Sequence, residues 1–249
     1  EEGLSTFDIG LRSTIPDLIV ADPDPLHVIV DFTAPTAQLT SDASGVIGGP
    51  FDIHMQFDEP VFGFNFDLFG AGRLAVQNGA MSNFEATSLS AYRATITPEA
   101  SGPVRVNISS DVAVDRAGNG NVAAQPFTIT YDNEPPSVTG ISGPDGLVNG
   151  SFTVTATFSE SVSGFSLSGF VVTNGVASNL QAINSSTYSA TITPISDGRT
   201  SVTISAGAAQ DSVGNPNRAS IYFLIVTVDQ ISPTLTLSTT ASSPASGPF

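Results

Sequence analysis

Asp132-Asn-Glu-Pro-Pro136 is the stretch that sets the organisation of this chain. An aspartate there ends one β-type run and a proline begins the next, and the same arrangement recurs at Asp31-Phe-Thr-Ala-Pro35 and Asp229-Gln-Ile-Ser-Pro233. Proline has a fixed φ and no N–H to give to a sheet, so it suits the start of an edge strand or a stiff connection. The three segments are roughly 100 residues apart, which is the size of one β-sandwich domain. We therefore interpret them as linkers between repeated modules.

The linkers divide the chain into four parts. We predict the tail of a preceding module or an N-terminal arm at residues 1–30, a first repeat at 31–131, a second at 132–228, and the start of a third, incomplete repeat at 229–249. An incomplete sandwich exposes apolar strand faces and unpaired edges. We therefore expect residues 229–249 to be completed by residues outside this segment or by a neighbouring copy.

The two full repeats share an ordered set of short patterns. Phe57-Asp-Glu-Pro-Val-Phe-Gly-Phe64 corresponds to Phe158-Ser-Glu-Ser-Val-Ser-Gly-Phe165, which defines the pattern Phe-x-Glu-x-Val-x-Gly-Phe. Next in each repeat comes an Asn-Gly dipeptide between segments of alternating apolar residues, Asn78-Gly79 in the first and Asn174-Gly175 in the second, and it predicts a hairpin there. No window has sustained helical periodicity, and about seven short strands are expected in each repeat. The pattern predicts an all-β fold of tandem Greek-key β-sandwiches.

The two repeats also share a strand that ends in Thr-Ile-Thr-Pro and an acidic turn before the last strand. Period-2 strands finish in Thr95-Ile-Thr-Pro98 and Thr191-Ile-Thr-Pro194. An acidic turn then precedes the last strand, as Asp115-Arg-Ala-Gly-Asn-Gly-Asn121 in the first repeat and Asp211-Ser-Val-Gly-Asn-Pro-Asn217 in the second.

The Phe-x-Glu-x-Val-x-Gly-Phe pattern, the Thr-Ile-Thr-Pro strand end and the acidic turn together resemble the bacterial Ig-like repeats of large surface adhesins. The resemblance covers roughly residues 31–249. The resemblance implies Ig-like sandwiches displayed outside the cell or on its surface, with the role of a stalk, spacer or adhesive rod. It also implies that partners are neighbouring repeats, copies of the same protein, or a surface glycan or protein ligand. The alternative is that the repeats are ligand-binding accessory domains of a large secreted enzyme, which a catalytic domain elsewhere in the gene would favour.

The charge balance excludes several classes of partner. The chain has 23 acidic residues against seven basic ones and a formal net charge of −16. Nucleic acid and anionic membranes are disfavoured because both are recognised through cationic side chains. No apolar run reaches the roughly 20 residues of a membrane helix, so we expect no membrane insertion in this segment. An acidic chain without cysteine remains compatible with oxygen-rich sites for a hard cation.

Catalytic residues are hard to find in the sequence. The two histidines, His27 and His54, lie in expected strands and have no partner at triad or metal-ligand spacing. The adjacent carboxylates Asp58 and Glu59 are better explained as a solvated turn than as a glycosidase pair. We predict that the segment is not an enzyme.

A cation site is predicted at one end of each repeat. Because strands of a sandwich alternate in direction, the linker, the turn after the second strand and the turn before the last strand meet at the same end. Calcium takes six to eight oxygen ligands and would stiffen the linker if these turns supplied them. Two interpretations of the polar residues in these turns stay open: they serve the turns alone, or they also bind Ca²⁺. Against calcium binding, Arg116 and Arg218 could neutralise the acidic groups instead. The candidate ligands are Asp31, Glu59, Asp115, Asn119 and Asn121 in the first repeat, and Asp132, Glu134, Glu160, Asp211, Asn215 and Asn217 in the second.

The first repeat carries extra aromatic residues. Phe62, Phe64, Phe66 and Phe69 are more rings than strand alternation can place in one core. We expect at least one of them to lie on the surface, or under the insertion that the first repeat carries near Leu68–Arg73, and to contact a neighbour. The alternative is that all four belong to the core.

Overall fold

The computed structural model describes residues 31–65 and 74–238, and it divides into two compact units, Glu1–Asn133 and Glu134–Phe249. We call these the first and second domains. The predictions for residues 1–30, for Phe66 and Phe69, and for residues 239–249 lie outside the described residues.

The described part of the first domain is a sandwich of two four-stranded sheets. One sheet has the order β1-β3-β6-β5 and the other the order β2-β8-β7-β4. Neighbouring strands are antiparallel except β2 and β8, which are parallel. The strands are β1 Ala37–Thr40, β2 Val46–Ile47, β3 Phe51–Phe57, β4 Leu74–Gln77, β5 Gly79–Ala86, β6 Ala91–Pro98, β7 Gly102–Ile108 and β8 Phe127–Tyr131.

The described part of the second domain repeats this topology. Its sheets have the orders β9-β11-β14-β13 and β10-β16-β15-β12, and β10 and β16 form the parallel pair. A short 3-10 turn, Leu167–Gly169, precedes β12. The strands are β9 Val138–Ser142, β10 Leu147–Val148, β11 Phe152–Phe158, β12 Phe170–Thr173, β13 Gly175–Asn184, β14 Thr187–Pro194, β15 Gly198–Ile204 and β16 Leu224–Val228. The predicted all-β fold of tandem Greek-key sandwiches is confirmed.

Strand alternation builds the core of each domain. In β3, Phe51, Ile53, Met55 and Phe57 are buried while the residues between them face outward. This is the period of two that a half-buried strand requires. Each such side chain contributes about 1.5–3 kcal/mol by leaving water.

The Phe-x-Glu-x-Val-x-Gly-Phe pattern is a core-forming element. Phe57, Val61 and Phe64 are all buried, and the rings of Phe57 and Phe64 meet edge to face with centroids 5.2 Å apart. Gly63 has a φ of +78°, which glycine adopts without strain and which turns the chain back into the core. In the second domain Phe158 and Phe165 repeat the same edge contact at 5.2 Å.

The hairpin predictions at Asn78-Gly79 and Asn174-Gly175 are wrong. Asn78 has the expected positive φ of 59°, but β4 before it pairs with β7, and β5 after it pairs with β6 in the opposite sheet. The dipeptide is therefore an arch that carries the chain across the sandwich. The Asn78 side chain holds this arch, because its Nδ2 donates to Ala100 O at 2.7 Å and its Oδ1 accepts from Ala100 N at 3.1 Å. Asn174 does the same in the second domain through Ser196.

The prediction about extra aromatic residues is confirmed in its first part. Phe62 is 47% exposed while Phe64 is buried. The backbone of Phe62 is nevertheless fixed, because it exchanges two hydrogen bonds with Val114 at 2.7 and 3.0 Å. Contact of the exposed ring with a neighbouring molecule stays a prediction.

The start of the expected third repeat is described only as far as residue 238. Within that stretch Ile231, Leu235 and Leu237 are exposed and belong to no strand. Completion by another segment or copy stays a prediction.

None of the helical segments in the described residues is long and apolar enough to span a membrane.

Candidate functional site

Three carboxylates from distant parts of the sequence meet in the first domain. Asp31 precedes β1, Glu59 follows β3, and Asp115 lies in the turn before β8. Each offers a carboxylate oxygen, and these oxygens all lie within 4.8 Å of one another. Asp115 is buried and the other two are half-buried. The fold thus brings together the three elements that the sequence placed at one end of the sandwich. We call these residues the first carboxylate cluster.

Asp115 organises the turn to which it belongs. Its Oδ1 accepts hydrogen bonds from Gly118 N at 2.7 Å and Asn119 N at 2.8 Å, and its Oδ2 accepts one from Asn119 Nδ2 at 2.7 Å. Burial raises the pKa of Asp115, but these hydrogen bonds outweigh burial and hold the pKa below its usual range. The cluster therefore contains a buried carboxylate that keeps its negative charge.

The pKa of Glu59 is shifted in the opposite direction to that of Asp115. Its pKa is raised, first by burial and then by the negative charges of Asp115, Asp31 and Asp58. Like charges at short distance disfavour the ionised form. The geometry therefore contains an electrostatic repulsion that a bound cation would relieve.

Asn119 ties the linker to this turn. Its Nδ2 donates to the backbone oxygen of Asp31 at 3.1 Å as well as to Asp115. The residue at which the linker enters the domain is thereby held against the turn before the last strand.

Asn121 has a different role from the one that a ligand needs. It is 1% exposed, and its Oδ1 accepts from Val112 N and Ala113 N, both at 2.9 Å. Its Nδ2 donates to Ser109 O and Val122 O at 2.9 and 2.8 Å. All four hydrogen-bonding positions of the amide are thus engaged by backbone. We leave Asn121 out of the proposed ligand set.

Asn217 has the same structural role in the second domain. Its Oδ1 accepts from Ala209 N at 2.8 Å, and its Nδ2 donates to Ser205 O and Arg218 O. It is 2% exposed. We leave it out of the ligand set for the same reason.

The acidic turn of the second domain repeats the geometry of the first. Asp211 Oδ1 accepts from three backbone amides, those of Val213, Gly214 and Asn215, and Oδ2 accepts from Asn215 Nδ2 at 2.8 Å. Burial raises the pKa of Asp211, and the hydrogen bonds again bring it below its usual range. In the second domain, Glu160 follows β11 and Asp211 lies in the turn before β16, the places that Glu59 and Asp115 take in the first domain.

The two arginines that could neutralise these groups behave differently. Arg218 forms an ion pair with Glu134 at 3.7 Å, and both side chains are about two thirds exposed, so the pair adds little stability. Arg116 is exposed and forms no ion pair with any residue in 31–65 or 74–238. Glu134 is therefore a counter-ion of Arg218 in this structure, and we leave it out of the ligand set.

Asp58 is a positioning residue that the sequence reasoning missed. It accepts a hydrogen bond from Thr36 N at 2.8 Å and another from the Thr36 hydroxyl, which fastens the linker to the turn after β3. Ser159 occupies the same place in the second domain and accepts from Ser137 N at 3.0 Å. The available signal was the first variable position of the Phe-x-Glu-x-Val-x-Gly-Phe pattern, which holds a hydrogen-bonding side chain in both repeats.

Comparison with known proteins identifies the modules. Residues 31–131 and 132–224 each match the family model described as the bacterial Ig-like domain. No curated protein sequence matches the chain.

Similar solved structures include three bacterial proteins. Invasin, described as a bacterial integrin-binding protein, has 17% identity and a TM-score of 0.34 over 67% of this chain and 36% of its own. Yersinia pseudotuberculosis InvD has 18% identity and a TM-score of 0.33 over 84% of this chain and 64% of its own. Adhesin InvE of the same organism has 13% identity and a TM-score of 0.27 over 78% of this chain and 58% of its own. The chain thus spans less than two thirds of each. Since the family model covers both domains, the chain belongs to the bacterial Ig-like domain family.

Proposed function

We propose that this chain is a non-catalytic structural or adhesive segment of a larger protein, outside the cell or on its surface. The observation that carries the proposal is repetition: one sandwich topology is built twice in tandem, with the same pattern of core residues and the same acidic turn. Tandem modules of this kind suit a stalk or spacer. The strongly acidic composition keeps such a surface soluble and disfavours binding to nucleic acid.

Surface display can be tested on cells of the source organism. Antibodies raised against the recombinant segment are expected to label intact cells, and brief external protease treatment is expected to remove that labelling. An antibody against a cytoplasmic protein serves as the control for cell integrity. Labelling that requires permeabilised cells would contradict the proposed location.

We further propose that the first carboxylate cluster binds a hard cation of the calcium type. Asp31, Glu59 and Asp115 would supply carboxylate oxygens, and backbone carbonyls or water would supply the rest of the six to eight ligands. The raised pKa of Glu59 supports this, because the negative charges of Asp115 and Asp31 add to burial in raising it, and no arginine of the described residues forms an ion pair with the cluster. A cation there would hold the linker, the turn after β3 and the turn before β8 together. By repetition, Asp132, Glu160 and Asp211 are proposed as the corresponding ligands in the second repeat, with Asn119 and Asn215 supporting the aspartates.

Calcium is expected to raise the melting temperature of the chain after prior chelation. A ligand that binds only the folded state stabilises it by about 2.7 kcal/mol at a concentration 100 times its Kd. For a domain of this size that corresponds to a rise of roughly ten degrees or more. Calorimetry during a calcium titration measures the shift.

Matched variants make the calcium experiment specific. Glu59→Gln is expected to abolish the calcium response of the first domain, and without calcium to leave its stability equal or higher because one repelling charge is gone. Glu85→Gln, in which the charge removed is half-exposed and paired with Arg93, is the control and should leave the response intact. An unchanged melting temperature at millimolar calcium would assign these residues to turns alone.

A further inference from the structure

The same dipeptide, Asn-Gly, occurs at four places in the chain: Asn78-Gly79, Asn119-Gly120, Asn149-Gly150 and Asn174-Gly175. Asparagine followed by glycine is chemically labile, because the glycine nitrogen can attack the side-chain carbonyl carbon when no Cβ shields it. The reaction needs a side-chain amide that is free to rotate toward the next backbone nitrogen. Folded structure therefore decides which of the four reacts.

Three of the four asparagines are held by hydrogen bonds. Asn78 and Asn174 are fixed through both their amide nitrogen and their amide oxygen, the first to Ala100 and the second to Ser196. Asn119 donates from Nδ2 to Asp31 O and to Asp115 Oδ2. Each must break these bonds before its side chain can reach the following nitrogen.

Asn149 stands in a different environment. Its side chain is exposed and makes no hydrogen bond with any residue in the described part of the chain. It follows the two-residue strand β10 and lines an open depression with Leu147, Gly150, Ser151 and Asp229. Apart from Gly150 itself and its two chain neighbours, no atom of the described residues lies within 4 Å of the position that a Cβ on Gly150 would take, so the approach to this dipeptide is open.

The first domain shows that this asparagine is not needed by the fold. Val46-Ile47-Gly48-Gly49 occupies the same place after the short strand β2 that Leu147-Val148-Asn149-Gly150 occupies after β10. Both strands make the same parallel pair with the last strand of their domain. Glycine therefore forms this turn equally well in the first domain.

We propose that Asn149 is a site of spontaneous deamidation in the folded protein. The Gly150 nitrogen bonds to the Asn149 side-chain carbonyl carbon, the carbon–nitrogen bond of the amide breaks, and ammonia leaves with the proton from the Gly150 nitrogen. Water then opens the cyclic imide at either carbonyl and gives aspartate or isoaspartate, so the reaction needs no oxidant and no reactant other than water. The product places a new carboxylate in the depression that Asp229 also lines.

The test compares all four dipeptides in one sample. The folded chain is incubated at mildly alkaline pH, digested with pepsin at acidic pH, where the reaction is slow, and its peptides are followed by mass spectrometry. We expect the Asn149 peptide to convert at least about tenfold faster than the other three, because these must wait for local opening of the structure. In denaturant the four peptides are expected to convert at similar rates.

Two outcomes would overturn the proposal. One is conversion at Asn149 that is no faster than at Asn78 or Asn174 in the folded chain. The other is a rate at Asn149 that rises on unfolding as much as theirs does. Asn149→Gly, which installs the residue found at position 48, is the control: it should remove the acidic species that forms on isoelectric focusing and keep the melting temperature unchanged.

Discussion

Replacing Asn121 with alanine is expected to lower the free energy of unfolding of the first domain by about 2–5 kcal/mol. The side chain is 1% exposed and serves two backbone donors and two backbone acceptors around the turn before β8. Alanine would leave the amides of Val112 and Ala113 buried without acceptors, and each such group costs about 1–3 kcal/mol. The loss arises from these orphaned groups and does not depend on a bound metal.

Urea unfolding with a probe for each domain measures this effect. Asn217→Ala is expected to cause a comparable loss in the second domain, where it would orphan the amide of Ala209. Asn133→Ala is the matched control in the first domain, because that side chain is exposed and, among residues 31–65 and 74–238, hydrogen-bonds to the exposed Ser101 alone; its effect should stay within about 0.5 kcal/mol. A loss below about 1 kcal/mol for Asn121→Ala would mean that water replaces the amide, and that the buried network is weaker than its geometry indicates.

The sequence predicted the core well because its signals there are local and repeated. Alternation along β3 determines which face is buried. The Phe-x-Glu-x-Val-x-Gly-Phe pattern appears twice, and both copies bury the first phenylalanine, the valine and the last phenylalanine. The convergence of Asp31, Glu59 and Asp115 could also be anticipated, because antiparallel connectivity determines at which end of a sandwich each turn lies.

The sequence could not show how strands pair or which polar side chains are already engaged. Asn78-Gly79 correctly indicates a turn with positive φ, but whether its flanking strands pair depends on contacts such as Ala75 with Asn107, far along the chain. Asn121 looked like a cation ligand in the sequence, whereas the structure engages its amide with backbone from residues up to 12 positions away. The local pattern shows that the position of Asp58 holds a hydrogen-bonding side chain in both repeats, but it does not show that its partner is Thr36, 22 residues away.

Replacing Phe158 with alanine is expected to destabilise the second domain by about 3–5 kcal/mol. The ring is 3% exposed and packs edge to face on Phe165 and Tyr188, with centroid distances of 5.2 and 6.1 Å. Truncation removes the buried apolar surface and leaves a cavity that its neighbours fill only in part. The neighbouring Tyr188 is anchored by a hydrogen bond from its hydroxyl to Val162 O at 3.0 Å, so it is poorly placed to move into that space.

The same unfolding assay shows whether the loss of stability comes from the burial of the ring or from the removal of any phenylalanine. Phe57→Ala should destabilise the first domain by a similar amount, because Phe57 occupies the equivalent core position and is 1% exposed. Phe223→Ala removes an equally large ring from the second domain, but that ring is 66% exposed, so a change within about 0.5 kcal/mol is expected. Equal losses for Phe158→Ala and Phe223→Ala would contradict this assignment, because they would show that the exposed ring carries as much folding energy as the buried one. A small loss at Phe158 with a normal loss at Phe57 would mean that the second core repacks around the cavity, and that the two sandwiches differ in rigidity despite their common topology.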